Sequence, residues 1–146
     1  MYSIKGECHC GNISYLAVVP NKLSTYTPRI CDCYFCTTHN IAYVSDCDGT
    51  LAINIKHPKL IHKVRQNNGL VDFFLCNICQ VITNACYEEN GHIYSSVNVN
   101  TTKQPLHFGN STTIHVTNLS AKDKVKRWKN IWFKQVSITL QAKSVL

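Results

Sequence analysis

The sequence predicts a mainly β protein, built from several small antiparallel sheets with a possible C-terminal helix. Three observations point that way. β-branched and aromatic residues gather in short runs, turn residues separate those runs, and helical periodicity is confined to the last part of the chain.

The strand signals come first. Ile13–Val19 is β-branched and aromatic, and Ile41–Val44, Leu51–Ile55, Leu60–Val64 and Thr112–Val116 have similar composition. Asp48-Gly49 and Asn90-Gly91 are hairpin-turn dipeptides. The second lies between 81–87 and 92–99, which predicts an antiparallel pair across it. Past residue 118 the period changes. Val125, Trp128, Trp132 and Val136 recur at steps of three and four, which is helical spacing. Ser120 is placed to cap that helix, and Asp123 suits its first turn. Ser137–Leu140 reads as a short strand or an irregular end. The expected organisation is a β domain over 1–118 and a basic amphipathic segment over 119–146 packed on it.

Composition narrows the function. A chain of 146 residues can bury a sizeable core without covalent staples. Its nine cysteines are an odd number, so a fully paired disulfide scheme leaves one over. Met1–Gly6 lacks the apolar run of a secretory leader, and no apolar run approaches the ~20 residues of a transmembrane helix. The expected compartment is the cytoplasm, where thiols stay reduced and clustered cysteines bind metal. The net charge of +7 is uneven. From Ser120 onward seven basic residues face Asp123 alone, a net +6 that leaves +1 for the rest. That segment, with Trp128, Trp132 and Phe133 among its lysines, has the composition of a nucleic-acid or anionic-surface arm. Packing on the core is the preferred reading, because amphipathic helices usually cover one.

Seven cysteines fall into three groups: Cys8-His9-Cys10, Cys31-Asp32-Cys33-Tyr34-Phe35-Cys36, and Cys76-Asn77-Ile78-Cys79. On an extended chain, residues i and i+2 share a face, so a C-x-C step aims both thiols one way. A C-x-x-C turn brings two sulfurs to one ion. Together they supply the four ligands of tetrahedral zinc, which predicts a closed structural site from Cys8, Cys10, Cys76 and Cys79. Cys31, Cys33 and Cys36 fill three positions and leave the fourth open to water or an external thiol, the arrangement of catalytic zinc. Two Zn2+ per chain are therefore expected. Cys47 and Cys86 are expected as buried free thiols. His9 is expected to support or flank the first site rather than ligate. His39 could close the open site only by removing the vacancy that makes it useful.

The three groups, in this order, resemble the glutathione-dependent formaldehyde-activating enzyme family, which also includes centromere protein V. The matching residues are Gly6–Gly11 with Tyr15 on the following strand, then Cys31–Cys36, then Asp72–Cys79, where the family has an aromatic residue shortly before its last C-x-x-C. The match spans roughly 3–118. The resemblance implies an Mss4-like fold and the same division into structural and catalytic zinc. It also implies an activity that forms or breaks a carbon–sulfur bond, as in making S-hydroxymethylglutathione, so a small thiol such as glutathione is the expected partner. Tyr34 and His39 are candidates for moving the proton. Arg29, Lys56 and Arg65 are candidates for holding the thiol's carboxylates, with a solvated surface charge the preferred reading of each. The family has Gly after its last C-x-x-C; Gln80 stands there, which predicts a strained or altered turn.

Overall fold

The computed structural model describes residues 1–66, 69–103 and 105–141. It is mainly β, with two sheets and a short C-terminal helix. The strands are β1 (Tyr2–Glu7), β2 (Ile13–Val19), β3 (Arg29–Cys31), β4 (Tyr43–Val44), β5 (Thr50–Ile55), β6 (Ile61–Val64), β7 (Val71–Cys76), β8 (Ile82–Glu89), β9 (His92–Asn98), β10 (Thr112–Ile114) and β11 (Gln135–Leu140). A short helix α1 (Tyr34–Thr38) follows β3, and α2 (Ala121–Ile131) lies between the last two strands.

The smaller sheet has the order β1-β2-β5-β11 and the larger β10-β3-β4-β9-β8-β7-β6. Most pairings are antiparallel, as expected. Two are parallel, β5 with β11 and β3 with β10. Each joins strands far apart in sequence, which is where parallel pairing is possible, since it requires a long crossover.

The packing has three layers. Alternate residues of β1, β2 and β5 (Ile4, Ile13, Tyr15, Leu51, Ile53, Ile55) meet Phe74, Cys76 and Val97 of the larger sheet in one core. The other face of that sheet carries Val71, Ile82, Ala85 and Tyr87, which pack with Tyr43 and Trp132 and with the half-buried Val125, Trp128 and Ile131. The larger sheet is thus covered on both sides. That explains why Ile82–Tyr87 is buried without alternation.

The Asn90-Gly91 turn joins β8 to β9 with positive φ at both residues (52° and 80°), the type I′ geometry that matches strand twist. Asp48-Gly49 forms a turn but not the expected hairpin, because β4 and β5 belong to different sheets. The Asp46 carboxylate accepts from the Asp48 amide at 2.8 Å. A Cβ at Gly49 would stand 2.6 Å from the Val18 carbonyl oxygen. Ser120 caps α2 by accepting from the Asp123 amide at 3.1 Å. Beyond the helix, Phe133 exchanges backbone hydrogen bonds with Ser95 (2.9 and 3.1 Å), and the chain then enters β11 at the edge of the smaller sheet. Trp132 and Phe133 are adjacent yet enter different cores. Among the described residues no helix is long and apolar enough to cross a membrane.

The motif residues Gly6 and Tyr15 are coupled by packing. The Tyr15 hydroxyl donates to the Asn98 carbonyl at 3.0 Å and lies 3.1 Å from the Thr101 hydroxyl, which fixes the ring. A Cβ on Gly6 would collide with that ring. Gly6→Ala is expected to cost about 1–3 kcal/mol, the usual range for overpacking, and to appear as a lowered thermal midpoint.

Candidate metal centres

The two thiol clusters form on opposite faces of the larger sheet. Cys8 and Cys10 follow β1, Cys76 ends β7, and Cys79 lies in the turn after it. The two turns share a pattern. The Cys8 amide donates to Ile13 O at 2.9 Å, and the Cys76 amide to Val81 O at 3.0 Å, so each cysteine opens a turn closed five residues later. Gly11 (φ 80°) and Gln80 (φ 62°) take the left-handed positions in these turns. Gln80 therefore keeps the backbone conformation that glycine adopts freely, at a cost to a residue with a Cβ. Its side-chain amide also donates to the Asn77 carbonyl at 2.8 Å.

All four sulfurs lie within 4.8 Å of one another. Cys8 and Cys10 sulfurs are 3.7 Å apart, and Cys10 and Cys76 sulfurs 3.4 Å. Tetrahedral coordination with ~2.3 Å bonds to sulfur requires separations of about 3.8 Å, so this geometry fits a metal ion. The Ile13 amide points at Cys8 Sγ at 3.4 Å, an orientation that stabilises a thiolate. Burial pushes the Cys8 thiol up to about 12. At Cys79 burial pushes upward too, but the Cys10 and Val81 amides and the Cys76 and Cys8 thiols outweigh it and bring the group down to about 7. His9 is exposed and outside the cluster.

Cys31 ends β3, Cys33 caps α1, and Cys36 lies within that helix. Their sulfurs also lie within 4.8 Å of one another. The Cys36 amide donates to Cys33 Sγ at 3.4 Å. Hydrogen bonding from Cys36 is the main cause drawing the Cys31 thiol down to about 6, against burial. The Cys36 thiol is pushed far up by Cys31 and by burial. The buried Tyr43 hydroxyl lies 3.2 Å from Cys36 Sγ, and burial together with that neighbour holds its phenol protonated, so it can donate to a Cys36 thiolate. Both clusters could therefore hold a metal ion, one with four thiols and one with three.

The three-thiol cluster opens onto a cavity of about 110 Å³. Cys31, Cys33 and Cys36 line it, with Arg29, Tyr43 and residues of α2. The Arg29 guanidinium donates to the Ser45 hydroxyl at 2.8 Å, and burial with the nearby Arg127 lowers it to about 10, so it stays charged at neutral pH.

Several candidate contacts fall elsewhere. Tyr34 points into solvent, and the His39 ring packs on Phe35 at 4.6 Å; neither lines the cavity. Lys56 borders a separate cleft beside Gly11, and Arg65 is ion-paired with Asp72 at 2.7 Å. Cys86 is buried as expected, whereas Cys47 is half-buried between Asp46 and Asp48. Sequence reasoning missed Lys124, Arg127 and Trp128 as cavity residues. Their signal was the spacing of 124, 127, 128 and 131, one helical face that mixes cations with aromatic and aliphatic carbon.

No family model and no curated protein sequence matches the chain. Among solved structures, a crystal structure of a Rhodobacter sphaeroides protein superimposes with a TM-score of 0.51 at 17% identity, covering 93% of this chain and 100% of that one. The likeness is one of fold.

Proposed function

We propose that the chain is a zinc-thiolate protein of the formaldehyde-activating type, with zinc on Cys8, Cys10, Cys76 and Cys79 holding the fold. A second zinc on Cys31, Cys33 and Cys36 would handle a thiol substrate. The reaction would form or break the carbon–sulfur bond between that thiol and an aldehyde or related electrophile. The observation that supports this most is that the three-thiol set, one ligand short of a tetrahedral shell, lines a cavity.

A metal on three thiolates would supply the Lewis acidity that keeps a coordinating thiol deprotonated. The protein's own groups do the rest. Buried Cys31 and Cys36 and half-buried Cys33 direct their sulfurs to one point at the cavity wall. Tyr43 tempers the charge on Cys36. Arg29 offers a positive charge to an anionic reactant. In the forward direction the sulfur lone pair bonds to the carbonyl carbon and the C=O π pair moves to oxygen, which takes up the proton the thiol released. The reverse breaks the same bond and returns that proton to sulfur.

Two metals per chain are expected by elemental analysis of protein purified without chelator. In the cobalt-substituted protein, a thiol such as glutathione should perturb the absorption of one cobalt and spare the other. Cys33→Ser should abolish this response together with any exchange of formaldehyde with the thiol. Two unresponsive cobalts would instead favour a zinc-stabilised binding module that uses its basic tail on nucleic acid or an anionic surface.

A further inference from the structure

The cavity beside the three thiols is walled largely by ring carbon. Phe35 and Phe73 meet at 4.7 Å with their planes tilted by 52°, and Trp128 stacks on Trp132 at 5.3 Å; all four line the cavity. Phe35, Phe73 and Trp128 are half-buried, so each keeps apolar surface that a ligand could cover. Water against that surface is unfavourable, and so is a strongly polar ligand whose groups find no partners there.

The same cavity carries an excess of positive charge. Arg29, Lys124 and Arg127 line it, all half-buried. Among the described residues none of the three has a carboxylate partner, and no Asp or Glu lines the cavity. Lys129, on the same helix, is by contrast paired with Glu89. Three thiolates around a divalent ion leave one net negative charge, which the three cations exceed by two. A bound thiolate would offset one of these. A single carboxylate on the same molecule would offset the other, and a guanidinium's paired N–H groups match a carboxylate's geometry.

We infer that the thiol taken by this cavity is an aryl or arylalkyl thiol bearing one carboxylate, free or as its aldehyde adduct, and not a small peptide thiol. Its ring lies among Phe35, Phe73 and Trp128, and its carboxylate faces Arg127 and Lys124. Glutathione as its thiolate carries the same net charge, so the discrimination rests on the walls: it has no ring to cover them, and its ammonium group would lie among the cations. The inference rests on reading the three-thiol cluster as an open metal site, so its test separates the two.

The full-length cobalt protein is titrated with para-mercaptophenylacetate, para-thiocresol and glutathione, following the cobalt absorption. The zinc protein is titrated with phenylacetate, which has the ring and carboxylate but no sulfur, by calorimetry. Para-mercaptophenylacetate should bind about tenfold or more tightly than either other thiol, the effect of a charge-assisted hydrogen bond. Arg127→Gln, a half-exposed change that spares the core, should remove most of its lead over para-thiocresol, weakening para-thiocresol far less than para-mercaptophenylacetate. Phenylacetate should bind weakly and lose that binding in the same variant. Cobalt that responds to thiols with no preference for the carboxylate, or with glutathione the tightest, overturns the inference and leaves the open metal site standing. Cobalt silent to every thiol, with phenylacetate binding that depends on Arg127, overturns the open site and keeps the aryl-carboxylate assignment.

Discussion

Cys76→Ser should leave the protein largely unfolded, while Cys33→Ser should leave it folded with one metal fewer. Cys76 is fully buried where β7 ends, and its sulfur lies 3.4 Å from that of Cys10, 66 residues earlier in the chain. A metal there ties the smaller sheet to the larger. Structural zinc contributes roughly 10–16 kcal/mol of apparent binding free energy in small peptides. Even half of that is comparable to the ~5–15 kcal/mol net stability of a domain. Cys33 is different: it is half-exposed and caps a five-residue helix, a position that serine fills well. Far-UV circular dichroism on heating, with metal content measured alongside, checks both. Equal destabilisation by the two changes would mean that the three-thiol cluster also holds the fold together.

Removing residues 120–146 should abolish folding and not merely trim a surface arm. The deletion takes Trp132 from one core and fully buried Phe133 from the other. Each such truncation costs about 3–5 kcal/mol when made singly to alanine. It also strips β11 from β5 and exposes Tyr87, which now packs against Trp128 at 5.5 Å. Soluble yield and the thermal transition of the shortened chain report the outcome. A shortened chain that still melts cooperatively near the parent's midpoint, having lost only salt-sensitive binding to nucleic acid, would restore the arm reading. Charge-reversing changes at the exposed Lys122 and Lys126 provide the control, because neither lysine touches a core.

The cysteine groups were legible because ligand spacing is a local property. Cys8 and Cys10, or Cys76 and Cys79, announce a shared target within a few residues. Their meeting across the fold could be anticipated because a four-ligand ion would need both pairs. Asn90-Gly91 and the Ser120 cap were legible for the same reason: their geometry is set by adjacent residues. Asp48-Gly49 misled because a turn dipeptide fixes the turn and not the partner of the strand after it. Thr50–Ile55 pairs with β2 and β11, a choice made by distant apolar faces. The cavity was hidden for a related reason. Arg29 and Arg127 are nearly a hundred residues apart, and only the layer arrangement brings α2 over the face of the sheet that holds Cys31. In the sequence, Lys124 and Arg127 resemble any solvated lysine and arginine.

The helix that supplies two of the cavity's three cations also leads into Trp132 and Phe133, but it does so with different residues. Val125, Trp128 and Ile131 pack against the sheet, whereas Lys124 and Arg127 reach the cavity without an ion-pair partner among the described residues. Trp128 and Ile131 also line the cavity, whereas Lys124 and Arg127 belong to neither core. If the site takes an anionic ligand as proposed, variation at 124 and 127 would change which anions it admits while the scaffold keeps its melting behaviour. A library restricted to those two positions would therefore explore new ligands at little risk to the fold, whereas one that included 128 or 132 would spend most of its members on proteins that no longer pack.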